Sequence, residues 1–107
     1  MLGQHQGMTF DFEALLWVWD ARKHERWTFV SLPDDVSDEI LERAGAFARG
    51  FGSLRVEVTV GGTTWRTSIF PDGSRKAYSL PVKKAVRAAE GLTVGGPVAV
   101  RLRVLDV

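Results

Sequence analysis

Val30-Ser31-Leu32-Pro33 and Tyr78-Ser79-Leu80-Pro81 are two versions of one local instruction, and their reading decides the fold. In each, an apolar strand runs into Ser-Leu-Pro. There the fixed proline φ and missing N–H stop strand pairing and suit the approach to a helix. A short helix-like segment, a glycine and an alternating strand follow in both places. That strand is Leu54-Arg55-Val56-Glu57-Val58 after the first copy and Val98-Ala99-Val100-Arg101-Leu102-Arg103 after the second. Two diverged copies in one chain predict an internal pseudo-dimer.

The flanking segments fit that reading. Met8 to Asp20 alternates as a long strand, with Phe10, Phe12, Ala14, Leu16 and Val18 on one face. The other row begins polar at Thr9, Asp11 and Glu13 and turns apolar at Leu15, Trp17 and Trp19. That end is therefore expected to be covered on both sides or to offer an interface. Asp20 to Arg26 reads as a polar loop and Trp27 to Leu32 as the returning strand. After Pro33, the oxygens of Asp34, Asp35 and Ser37 suit a helix N-cap. Ile40, Leu41, Ala44 and Phe47 give the helix an apolar stripe, with Glu39–Arg43 as an exposed i,i+4 pair. Gly61-Gly62 is a two-residue hairpin turn of the primed type. It sets Val60 opposite Thr63, Val58 opposite Trp65, Val56 opposite Thr67 and Leu54 opposite Ile69 on the buried face. Glu57 then faces Arg66, and Thr59 faces Thr64, on the other. Pro71-Asp72-Gly73-Ser74 reads as a turn and Arg75 to Leu80 as a strand. In the helix after Pro81, Val82, Ala85, Val86 and Ala89 are expected to face inward, with Gly91 as cap.

The chain has 107 residues, 45% hydrophobic and 25% charged, which bounds it to one ordinary globular domain. There is no cysteine, so disulfides, thiolate metal sites and cysteine nucleophiles are excluded. No apolar run approaches a membrane span, and Met1 to Gly7 lacks the basic and apolar regions of a signal peptide. A cytoplasmic protein with no membrane association is expected. The net charge of +1 hides an asymmetry. Residues 1–53 carry five basic and nine acidic side chains, a net of −4, and residues 54–107 carry nine and four, a net of +5.

Over nearly its whole length the order of these motifs resembles one bacterial and archaeal family. The motifs are Phe12…Leu16-Trp17…Trp27…Leu32-Pro33, then Phe51-Gly52-Ser53-Leu54-Arg55-Val56, then Trp65-Arg66-Thr67-Ser68-Ile69-Phe70-Pro71, then Tyr78 to Arg87. The family is known as a domain of unknown function, DUF1905, sometimes fused to a domain linked with bacteriocin protection. The resemblance implies a fold and no established chemistry. The family usually has Gly-Asp before its last strand, where this chain has Gly95-Gly96-Pro97. Residues 79–103 also resemble the swapped-hairpin motif of AbrB- and MazE-type DNA-binding proteins, dimers that interlock into a double-split barrel. The internal repeat suggests that this chain supplies both halves itself. The expected fold is mainly β (α+β), a small closed or double-split β-barrel with two short capping helices and an internal pseudo-twofold repeat. Residues 1–7 would be a disordered tail and 8–107 the barrel domain.

Catalytic chemistry finds few candidates. His5 in the tail and His24 in a polar loop lack zinc-site spacing or a nucleophile to activate. No metal and no cofactor is expected. Asp34, Asp35, Asp38, Glu39 and Glu42 read as a helix start and a solvated face. Ser68 lies beside Arg55 with no histidine in reach, so it reads as a strand serine. The basic set Lys83, Lys84, Arg87, Arg101 and Arg103, with Arg66, Arg75 and Lys76, is the candidate anion-binding surface. From it, Arg66, Lys83, Lys84 and Arg87, with Ser68, are the candidate ligand-binding residues, and Trp27, Trp65 and Tyr78 the candidate pocket lining. The reading that follows is a non-enzymatic binding module for a partner protein or small ligand, a monomer or weak homodimer. A nucleic-acid-binding module of the swapped-hairpin kind ranks second, and an enzyme third.

Overall fold

The computed structural model describes residues 8–22, 25–73 and 77–105; the expected tail, His5, His24, Arg75 and Lys76 lie outside them. Six strands form a closed barrel in the order β1-β2-β5-β4-β3-β6. They are β1 Thr9–Arg22, β2 Glu25–Ser31, β3 Leu54–Val60, β4 Thr63–Asp72, β5 Ala77–Pro81 and β6 Pro97–Val104. Two helices interrupt them, α1 Asp34–Ala44 and α2 Lys84–Glu90. Closure gives each of these strands two neighbours. Inward rows fill the interior: Val30, Leu54, Val56, Val58, Ile69, Leu80 and Leu102 are completely buried.

The pairing pattern maps onto itself when the halves are exchanged. Each long strand serves two neighbours. In β1, Thr9–Leu15 pairs with β6 and Leu16–Trp19 with β2. In β4, Thr63–Ile69 pairs with β3 and Phe70–Asp72 with β5. Register follows as well as order. Phe10↔Leu102 and Ala14↔Val98 are matched by Trp65↔Val58 and Ile69↔Leu54. Likewise Leu16↔Val30 and Trp17↔Phe29 are matched by Pro71↔Tyr78 and Asp72↔Ala77. Two pairs join equivalent residues to each other. These are Ser31↔Ser79, the serines of the repeated tripeptide, and Val58↔Leu102. They mark the two ends of the pseudo-twofold axis.

The hairpin predicted over 53–70 pairs Leu54–Val60 with Thr63–Ile69 in the register expected. The polar face is paired as well: the hydroxyls of Thr59 and Thr64 lie 2.9 Å apart, and Arg66 reaches Glu57 at 3.6 Å. Elsewhere the structure corrects the reading. The segment expected as a loop from Asp20 is strand to Arg22 and again from Glu25, with a register shift between Trp19 and Arg22. Pro71 and Asp72 continue β4 instead of turning, because both still pair with β5.

The helices bury narrower stripes than predicted. In α1 the inward residues are Ser37, Ile40 and Ala44, spaced i, i+3, i+7, while Leu41 and Phe47 are exposed. Around α2, Val82 and Val86 are buried but Ala85 and Ala89 are exposed. A helix of seven residues makes two turns, too few to bury more than one line of side chains. Nor does α1 have a side-chain N-cap. Ser37 ties it to the barrel instead, its Oγ donating to the Leu32 carbonyl at 3.4 Å and accepting the Tyr78 N–H at 3.1 Å. Gly91 caps α2 as expected, in the left-handed region at φ 63° with its N–H on the Arg87 carbonyl.

Candidate functional site

A cavity of about 670 Å³ lies where α2 meets the barrel wall. β2 contributes Trp27 and Thr28, β4 contributes Trp65, Arg66 and Thr67, and the β5–α2 junction contributes Pro81, Val82, Lys83, Lys84 and Arg87. Local sequence explains the junction. Pro81 ends the strand ladder and Val82 is the last residue held to β2. The Val82 N–H donates to the Thr28 carbonyl at 2.9 Å, and the buried Thr28 hydroxyl donates back to the Val82 carbonyl at 2.5 Å. Beyond that anchor the chain turns into α2, and Lys83 and Lys84 project as exposed side chains. At the far end, Glu90 accepts the Thr63 hydroxyl, fixing α2 against the β3–β4 turn.

The cavity's electrostatics are one-sided. Among the described residues four of its lining side chains are cations and none is a carboxylate. Arg66 is balanced from outside by Glu57, at 3.6 Å. Glu57 itself binds Arg103 at 2.9 Å, and that hydrogen bond, more than Arg66, holds its carboxyl below the usual range. Arg87 is half-buried, and its Nε is enclosed by protein without a hydrogen-bond partner. A buried donor left open is unfavourable. Trp65 is half-buried against the core and Trp27 is 51% exposed, so the indoles supply apolar wall on two sides.

The structure thus gathers Arg66, Lys83, Lys84, Arg87, Trp27 and Trp65 around one space. Ser68 is not in that lining; it pairs with Arg55 further along β4. Tyr78 is buried and borders a separate cavity of about 290 Å³ beside Ser37 and Leu41. Burial pushes its phenol above the ordinary value. Arg101 lies elsewhere, paired with Asp11 at 2.8 Å, which lowers the Asp11 carboxyl and raises the guanidinium. Thr28, Thr67, Pro81 and Val82 were not singled out from sequence. The β2–β5 pairing that brings them together joins residues about fifty positions apart.

On the outer side of the same wall lies a second cavity of about 540 Å³. Trp19 stands opposite Trp27, and Trp17 stacks on Phe29 with ring centroids 4.9 Å apart. The Trp17 indole N–H is satisfied by the Ser31 hydroxyl at 2.9 Å. This is the apolar end of the first strand, and it is an open face: Trp19 is 55% exposed.

Among the described residues no group of three or more histidines and carboxylates could hold a metal, and no helix is long and apolar enough to cross a membrane. No curated protein matches the chain. Residues 12–102, from the first phenylalanine row to the last strand, match the family described as Domain of unknown function (DUF1905), and the chain belongs to it.

Proposed function

We propose that this domain is a non-enzymatic binding module whose ligand is a small anion held beneath α2. The observation that carries this reading is the lining itself, with Arg66, Lys83, Lys84 and Arg87 converging beside two indoles and no carboxylate among them. Its volume falls in the range of small-molecule sites, about 300–1,000 Å³, which favours a ligand over a partner protein at this position. No side chain in the lining is a competent nucleophile with a base beside it, so the site's chemistry is recognition.

Titration with small phosphates and carboxylates at low salt tests the reading. Binding should saturate at one equivalent. Reversing two charges, Lys83→Glu with Lys84→Glu, should weaken it by about tenfold or more, the scale of one or two charge-assisted hydrogen bonds. Absence of saturable binding, or indifference to the reversal, contradicts the proposal.

A nucleic-acid strand is the second reading, favoured by exposed tryptophans next to cations, the combination that stacks bases and follows phosphates. It requires oligonucleotide affinity that falls steeply with salt. A weak salt dependence removes it.

A further inference from the structure

Trp27 and Pro81 line both cavities, so the cationic space under α2 and the aromatic face of β1 and β2 share a rim. The outer space is bounded by Trp17, Trp19, Phe29 and Phe70. Its character is opposite to that of its neighbour. Among the described residues its lining holds no cation, and the one carboxylate, Asp72, accepts a hydrogen bond from Ser79 at 3.4 Å. Trp19, Trp27 and Phe70 are 55%, 51% and 43% exposed, an unusual density of large aromatic surface for a chain this size. Contiguity with the cationic space says what covers it. A group attached to an anion on Lys84 and Arg87 would have the shared Trp27–Pro81 rim beside it.

Resting on the reading of the α2 cavity as an anion site, we infer that the natural ligand is amphipathic, an anionic head carrying a flat or extended apolar arm. The head sits among Arg66, Lys83, Lys84 and Arg87. The arm crosses the Trp27–Pro81 rim and lies against Trp19 and Phe70.

The test compares inorganic phosphate with 1-naphthyl phosphate, two probes with the same head, followed through the indole N–H signals in ¹⁵N–¹H spectra, which read millimolar affinities. Naphthyl phosphate should bind about tenfold tighter or better and move the Trp19 indole signal, which phosphate leaves in place. Trp19→Ser and Phe70→Ser, both at exposed positions, should each remove most of that advantage and leave phosphate affinity unchanged. Equal affinity for the two probes, or an advantage that survives both variants, overturns the arm while leaving the anion site standing. Failure of both probes to bind, or binding indifferent to Lys84→Glu, overturns the anion site and the arm with it. Tighter binding of a thymidine oligonucleotide than of naphthyl phosphate, with a steep salt slope, replaces the small ligand by a nucleic-acid strand and also overturns the inference.

Discussion

The two halves of the barrel share a frame and differ in almost everything placed upon it. Asp11 opposite Arg101 in one half corresponds to Arg66 opposite Glu57 in the other, the same ion pair with its polarity exchanged. Phe12 opposite Val100 corresponds to Thr67 opposite Val56, so a phenyl ring stands where the second half has a small hydroxyl that lines the cavity. The first cap helix has eleven residues and two aspartates in its opening turn; the second has seven and no acid there. Trp17 against Phe29 corresponds to Asp72 against Ala77. The inward rows of β3 and β6 resist change, Leu54, Val56, Val58 and Val60 corresponding to Val98, Val100, Leu102 and Val104, all buried where a fixed volume must be filled. Divergence has gone to the long strands, the outward rows and the caps, and the cavity under α2 lies among them.

That contrast can be broken most sharply at the axis. Leu102→Ala removes a wholly buried side chain from the Val58↔Leu102 pair and should cost about 2–5 kcal/mol by chemical denaturation. A loss below 1 kcal/mol would mean the barrel is not the rigid frame assumed. Next, the β3–β4 turn holds α2. Gly61 is at φ 58°, in the left-handed region, and a Cβ there would displace the end of the Glu90 side chain, whereas Gly62 has open space. Gly61→Ala should therefore destabilise by about 1–2 kcal/mol and Gly62→Ala by much less. Equal costs would detach α2 from the turn.

Phe51, 97% exposed at φ 61°, is a non-glycine residue in the left-handed region. Phe51→Gly relieves that conformation without uncovering buried surface and should stabilise by about 0.5–1 kcal/mol. The smallest effect concerns the exchanged ion pairs. Asp11 and Glu57 have carboxyls lowered by arginine partners. Their contribution is therefore present above the ordinary carboxylate range and is lost as pH falls through the depressed values. Arg103→Met should raise the Glu57 midpoint in a carboxyl ¹³C titration and leave that of Asp11 where it was. Movement of both would show that the pairs are coupled across the barrel.

Much of this was legible in the chain, for identifiable reasons. The Gly61-Gly62 turn fixed the register of its hairpin because a two-residue turn leaves one pairing. The repeated Ser-Leu-Pro revealed the pseudo-twofold because both copies solve the same strand-to-helix transition. Less visible was the direction in which short helices point. Ala85, Ala89, Leu41 and Phe47 fit a helical stripe yet are exposed, since the angle at which a cap lies on the barrel is set by Ser37 and Val86, not by periodicity. The cations of the site could be grouped by charge. Their meeting with Trp27 could not, because it depends on β2 pairing with β5.

On the reading proposed above, the second half's cap holds an anion and the first half's does not. Backbone ¹⁵N–¹H shift mapping during a phosphate titration tests it directly. Changes are expected only at Arg66–Thr67, Val82–Arg87 and the Trp27 and Trp65 indoles, with α1 silent. Shifts of equal size along Asp34–Ala44, or none at Lys83–Arg87, would contradict it.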